Sequence, residues 1–171
     1  MILFETERLF VRQYTSQDKD NFFALNGNKE IMQYIRTAKT KEESDAFLQE
    51  NISYYEANPL LGRWAAMEKN TLTYVGSFAL IPVEQNKSNI QIGYALLFAA
   101  WGKGYATELV KHGTKFFFAH HNAVKLYAVT EYLNLGSQKV LLKCGFQRDG
   151  VIVENSRELP MFSIERKVEE I

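Results

Sequence analysis

Gly102, Lys103 and Gly104 close an apolar run and lead into a segment of helical periodicity, an arrangement that can cradle an anion. Glycines at the end of a strand let the backbone turn and approach a ligand closely, and the first turn of the next helix offers unpaired N–H groups at its positive dipole end. The chemistry suited to such a place is pyrophosphate binding. A P-loop needs GxxxxGK followed by Ser or Thr, and neither that spacing nor the hydroxyl is present. A dinucleotide-binding turn wants GxGxxG or GxGxxA near the first strand, whereas the third small position here is Thr107 and several elements precede it. From these residues alone, a plain tight strand-to-helix connection stays open.

Other reactive side chains are less pointed. Histidine as a residue type suits proton transfer near neutrality, but His112, His120 and His121 fall on the helix after the turn, the last two near its end, where a cation suits the dipole. Structural or solvent-facing roles are expected for them. Cys144, the 1 cysteine, cannot form an internal disulfide or anchor a metal site, and before Gly145 it reads as a small apolar side chain.

These residues must be positioned by one core. A chain of 171 residues, 46% hydrophobic and 23% charged, reads as a single domain spanning residues 1–171. Its 20 basic and 20 acidic residues cancel, so no overall field draws in nucleic acid or an acidic membrane. The first residues, MILFETERLFVR, lack the charged leader and apolar core of a signal peptide, which points to a cytoplasmic protein. The longest apolar run, Ile92 to Trp101, is about half the ~20 residues of a membrane helix.

Periodicity predicts a first strand over Arg8 to Tyr14 and a helix capped by Thr15 or Ser16, with Phe22, Phe23 and Leu25 on its buried face. A short helical turn around Ile31 to Ile35 follows. Thr40 and Glu43 have capping-box spacing and open a longer helix that Asn58-Pro59 ends. Strands are expected at Arg63 to Glu68, Tyr74 to Pro82 and Ile90 to Phe98, with the polar Gln85 to Asn89 cluster as a turn. A helix runs from Lys103, then a strand over Lys125 to Thr130 and a short helix over Ser137 to Lys143. Strands at Phe146 to Val153 and Met161 to Lys167 close the chain.

Four motifs in this order, Ile92-Gly93-Tyr94-Ala95-Leu96, Trp101 to Glu108, Asn134-x-x-Ser137 and Lys143-Cys144-Gly145-Phe146, resemble the GCN5-related N-acetyltransferase (GNAT) superfamily. More narrowly they look like its ribosomal-protein alanine acetyltransferase (RimJ/RimL-like) branch, whose common entry is matched by Thr6-Glu7-Arg8-Leu9-x-x-Arg12. The resemblance covers essentially the whole chain. It implies an α/β fold with a mixed, mostly antiparallel sheet of six to seven strands flanked by helices, in which strands four and five form a splayed parallel pair holding the coenzyme. The implied activity is acetyl transfer from acetyl-coenzyme A to a primary amine, protein N-terminal or small-molecule, by direct attack, without a metal, in a monomer or homodimer. The missing residues noted below also leave a non-catalytic coenzyme A or acyl-coenzyme A binding module as the alternative.

In that superfamily the pyrophosphate sits on a Q/R-x-x-G-x-G/A turn, here occupied by Trp101, Gly102, Lys103, Gly104, Tyr105 and Ala106. Backbone N–H groups of Gly102 to Thr107 would hold it, Lys103 would add charge from the rim, and Trp101 would pack. Leu96, Leu97 and Phe98 match the strand that pairs with pantetheine, and the Leu97 amide is the preferred donor to the thioester carbonyl. Asn134 and Ser137 match the N-x-x-S that lies along the coenzyme arm, although Asn134 is equally suited to an ordinary helix cap. Two familiar groups are missing: the position of the usual tyrosine acid is Leu141, and that of the usual glutamate base is Gln91. Ser137 is then the best candidate acid, ahead of Tyr132, and Glu131 and Glu158 are the candidate bases, with a water chain as a substitute. Trp64, Tyr34, Phe22 and Phe23 are candidates to line the acceptor cleft.

Overall fold

Strand propensity and alternation build one broad sheet, against which the helices pack. The computed structural model describes residues 1–167. In chain order they form β1 (Ile2–Glu5), β2 (Leu9–Gln13), a 3-10 turn (Ser16–Asp18), α1 (Lys19–Asn26), α2 (Lys29–Met32), α3 (Lys41–Ala57), β3 (Gly62–Glu68), β4 (Tyr74–Val83) and β5 (Asn86–Leu96). A 3-10 turn (Phe98–Ala100) leads to α4 (Tyr105–His120), β6 (Lys125–Val129), α5 (Leu135–Lys143), β7 (Gln147–Glu154) and β8 (Arg157–Glu165). The sheet has 8 strands in the order β1-β2-β3-β4-β5-β6-β8-β7, and β5 with β6 is its parallel neighbour pair.

The expected six to seven strands are therefore corrected to eight, and the parallel pair becomes the fifth and sixth strands. The added strand is β1, an edge strand of 4 residues in which only Leu3 is buried, too short to show an alternating pattern. The expected turn at Gln85 to Asn89 also shrinks, because β5 begins at Asn86, which pairs with Val83. Asn86, Lys87 and Ser88 are exposed, so their side chains are polar while their backbone still completes the ladder.

The two faces of the sheet carry different cores. Phe78, Leu80, Ile92 and Leu96 pack against Leu109, Val110 and Phe117 of α4. Gly113 permits that approach, since a Cβ there would lie 2.5 Å from the Phe78 ring. On the opposite face Ala65 and Met67 of β3 pack with Tyr14, Phe22 and Leu48, which brings α1 and α3 against the sheet. Thr15 caps the first helical turn in a reciprocal box with Asp18, whose carboxylate also receives two hydrogen bonds from Arg12, at 2.8 and 2.9 Å. At Thr40 half of the box expected there forms, the hydroxyl accepting from the Glu43 N–H. Among the described residues no helix is long and apolar enough to cross a membrane.

Candidate functional site

The parallel strands β5 and β6 meet at a single register pair, Gln91 with Tyr127, and part beyond it. The gap opens a cleft of about 850 Å³ that passes through the sheet. On the α4–α5 side it is lined by Gly102, Ala106, Asn134, Ser137 and Leu141; on the α1–α3 side by Tyr34, Arg36, Arg63 and Ala79. Such a passage lets two substrates enter from opposite faces and meet between the strands.

At the first mouth the backbone itself is the binding surface. Gly102 and Gly104 have φ of +72° and +81°, values that other residues reach only with strain, and a Cβ at Gly102 would point into open space. The N–H groups from Gly102 to Thr107 have no backbone acceptor among the described residues, and the first bond of the helical ladder is Glu108 N–H to Gly104 O at 3.2 Å. This is a row of donors at a helix start, aimed where an anion would sit.

The turn is held from behind by the N-terminal segment. Arg8 donates from Nε to Glu108 at 2.8 Å and from Nη2 to the Lys103 carbonyl at 2.7 Å, and its guanidinium lies 4.6 Å from the Tyr105 ring centroid. Thr6 donates to the other Glu108 oxygen at 2.9 Å. Burial disfavours the Glu108 charge, but the Arg8 and Thr6 hydrogen bonds outweigh it and hold the carboxyl below its usual range. Thr6-x-Arg8 and Glu108 are about 100 residues apart in sequence, so no local pattern joins them.

The other residues singled out in the sequence divide by position. Leu96, Trp101, Gly102, Ala106, Asn134, Ser137 and Glu131 line the cleft. Lys103 is exposed at its rim, and Tyr105 is buried in the core, so it can offer a ligand only its N–H. The side chain of Thr107 stands outside the lining, as do Gly104, Leu97 and Phe98. The Leu97 N–H is donated to the Val75 carbonyl at 2.9 Å, so as placed it is not free for a thioester oxygen. Trp101 donates its indole N–H to the Leu96 carbonyl at 2.8 Å and stands edge-on to Phe98. Asn134 caps α5 by accepting the Ser137 N–H at 3.2 Å.

Of the aromatic candidates for an acceptor wall, Tyr34 lines the cleft, whereas Trp64 and Phe22 are fully buried core residues and Phe23 lies outside the lining. No histidine reaches the cleft: His120 bonds its own helix and His121 stacks on Phe117. Cys144 is half-buried against the core, and burial pushes its thiol up.

Ionisable groups crowd the cleft more than the sequence suggests. Glu131 is ion-paired with Arg157, and Glu158, outside the lining, accepts from the Tyr132 hydroxyl at 3.0 Å. Glu154, which no local motif marks, does line the cleft, and burial together with the nearby Glu84 raises its carboxyl above the usual range. Tyr94 of β5 is half-buried beside Ser137; burial raises its phenol and the Ser137 contact partly offsets that. A carboxyl, two hydroxyls and a row of backbone donors thus open on one passage.

The family model described as an acetyltransferase (GNAT) domain matches residues 8–147. An uncharacterised N-acetyltransferase of Bacillus subtilis, YoaA, is 28% identical over 152 residues, covering 88% of this chain and 85% of that protein. The fold is shared with RimL, a ribosomal L7/L12 α-N-protein acetyltransferase solved with coenzyme A, at a TM-score of 0.80 and 15% identity over 96% of this chain and 98% of that one. It is shared too with a spermidine N-acetyltransferase of Vibrio cholerae solved with coenzyme A and spermine, at a TM-score of 0.75 and 21% identity over 92% and 95% of the two chains.

Proposed function

Because the chain belongs to the GNAT acetyltransferase family, we propose that it moves the acetyl group of acetyl-coenzyme A directly to a primary amine. The observation that carries this reading is the row of unpaired N–H groups at Gly102 to Thr107, opening on a cleft that crosses the sheet where β5 and β6 part. The cradle takes the coenzyme pyrophosphate, the pantetheine arm follows the end of β5 past Asn134, and the amine enters from the α1–α3 face.

Glu154, directly or through a water, takes a proton from the incoming ammonium. The free amine attacks the thioester carbonyl carbon; the C–N bond forms, the C–S bond breaks, and the sulfur leaves with a proton from Tyr94 or Ser137 while nitrogen sheds its second proton to solvent. Tyr94 supplies from β5 the phenol that Leu141 withholds on α5, and Glu154 the carboxylate that Gln91 withholds. Glu131 is less suited as the base because its charge is already matched by Arg157. The buried Leu141 at the usual position of the acid favours a second reading, a coenzyme-binding module without turnover.

Thiol release from acetyl-coenzyme A over a panel of primary amines separates the two. Turnover with at least one amine is expected, together with about 2.7 kcal/mol of stabilisation at 100 times Kd of coenzyme A. Stabilisation without thiol release for any amine would sink the enzyme reading, and no stabilisation at all would sink both.

A further inference from the structure

The α1–α3 mouth of the cleft holds a group of cations that form no ion pair among the described residues. Arg36, in the segment after α2, and Arg63, on β3, both line the cleft. Their guanidinium carbons lie 5.4 and 4.8 Å from the centroid of the Phe47 ring on α3, and the Lys39 ammonium is 4.6 Å from the same centroid. Attraction to the ring quadrupole gathers the three cations but leaves their charge in place. Arg36 gives hydrogen bonds to the Asn26 side-chain oxygen at 2.8 Å and to the Met32 sulfur at 3.7 Å, both neutral partners. Among the described residues neither arginine nor Lys39 is in an ion pair, whereas eight such pairs form elsewhere.

Two half-buried guanidiniums close enough to repel each other are costly without an anion. Burial lowers both pKa values, and repulsion from Arg63 helps bring that of Arg36 to about 10. The coenzyme does not supply the missing charge, because its cradle on α4 lies on the other face of the sheet: Arg63 shares its face with Ala65, which packs under α1 and α3. Of the carboxylates lining the cleft, Glu30 of α2 is exposed and in no ion pair with either arginine, and Glu84, Glu131 and Glu154 stand nearer the β7–β8 end, Glu131 paired with Arg157.

Resting on the acetyltransferase reading, we propose that the acceptor is an amine that also carries an oxyanion, a carboxylate or a phosphate, and that Arg36 and Arg63 bind that anion while the amine points at the thioester. Register sets the span: Arg63 pairs with Ala79 and Ala79 with Gly93 at the gap, so the arginine starts two strands away, about 10 Å at the usual strand spacing. A guanidinium reaches back over part of that distance, which leaves a few bonds between anion and amine. A polyamine would set its second cation against these guanidiniums, and repulsion would discriminate against it.

The test uses the intact protein and matched amines: 5-aminopentanoate against 5-aminopentanamide, and phosphoethanolamine against ethanolamine. At least one anionic member is expected to exceed its neutral partner in kcat/KM by about tenfold or more, the scale of a charge-assisted hydrogen bond. The ratio should fall toward one in Arg63→Gln and in Arg36→Gln. The pair that shows the preference distinguishes a carboxylate from a phosphate. Equal use of anionic and neutral members in both pairs would overturn the proposal, as would a preference that survives both substitutions. If no amine is turned over, acetyl transfer fails by itself, and the anion site is read by calorimetry with the same compounds on the coenzyme A complex. Tighter binding of an anionic member, lost in Arg63→Gln, would then uphold it, and equal binding would overturn it.

Discussion

The two mouths of the cleft differ in what they present to a ligand. The α4 mouth uses backbone: two glycines with positive φ, a helix start and a side-chain cap at Asn134, all between Gly102 and Asn134. The α1–α3 mouth uses side chains: Arg36 from a loop, Arg63 from β3, Glu154 from the far hairpin, each delivered by a separate element. Backbone donors depend little on side-chain identity and suit a ligand that never changes, the coenzyme. Side chains can be exchanged one at a time without disturbing the sheet, which suits an acceptor that differs from one relative to another.

The comparison makes its sharpest demand at Glu154. If the base stands at the acceptor mouth and the α4 mouth holds the coenzyme, Glu154→Gln should lower kcat/KM by about 10²- to 10³-fold and leave acetyl-coenzyme A affinity as it was. The pH dependence has a definite sign. A base works only when deprotonated, so with a raised pKa activity is lost on acidification at a higher pH than an ordinary carboxylate would give. That acid limb should vanish in the Gln variant. Initial rates across pH decide it, and a limb that persists unchanged would return the role to Glu131 or to water.

The same contrast explains what the sequence makes legible. Gly102, Gly104, Asn134 and Ser137 sit in short motifs whose spacing is their geometry, and the strand–turn–helix order follows from a change of periodicity. Glu154 carries no such mark: it ends a strand, and its closeness to Glu84 exists only once the β7–β8 hairpin folds back beside the β4–β5 hairpin. Arg36 and Arg63 read as ordinary surface cations until Phe47 gathers them. Trp64 and Phe22 fail the other way, since large aromatics fit an acceptor wall and a core equally well in sequence and the structure buries both.

At the α4 mouth the next largest effect is expected from Gly104→Val. A β-branched residue at φ +81° is strained, which favours a shift of the turn that costs its N–H groups their alignment. Acetyl-coenzyme A affinity should weaken by about tenfold or more, with circular dichroism unchanged. Calorimetry reads it directly, and retained affinity would mean the pyrophosphate lies elsewhere.

The smallest effect probes how far the α4 mouth depends on a side chain at all. Arg8 touches no ligand in this arrangement; it ties the Lys103 carbonyl to Glu108 behind the turn. With 41% of its side chain exposed, the pair is screened, and Arg8→Ala should cost about 0.5–1 kcal/mol, seen as a few-fold weaker coenzyme binding that diminishes further as salt is raised. The stability loss carries its own pH signature. Glu108 has a depressed carboxyl, so its contribution is present above its unfolded pKa and lost as pH falls through the folded one. Removing Arg8 removes part of that contribution, so urea melts should show wild type and variant separated at neutral pH and converging as the carboxyl protonates. Coenzyme affinity that falls at Arg8→Ala as far as at Gly104→Val would mean that side chains rule this mouth too, and the contrast between the two would fail.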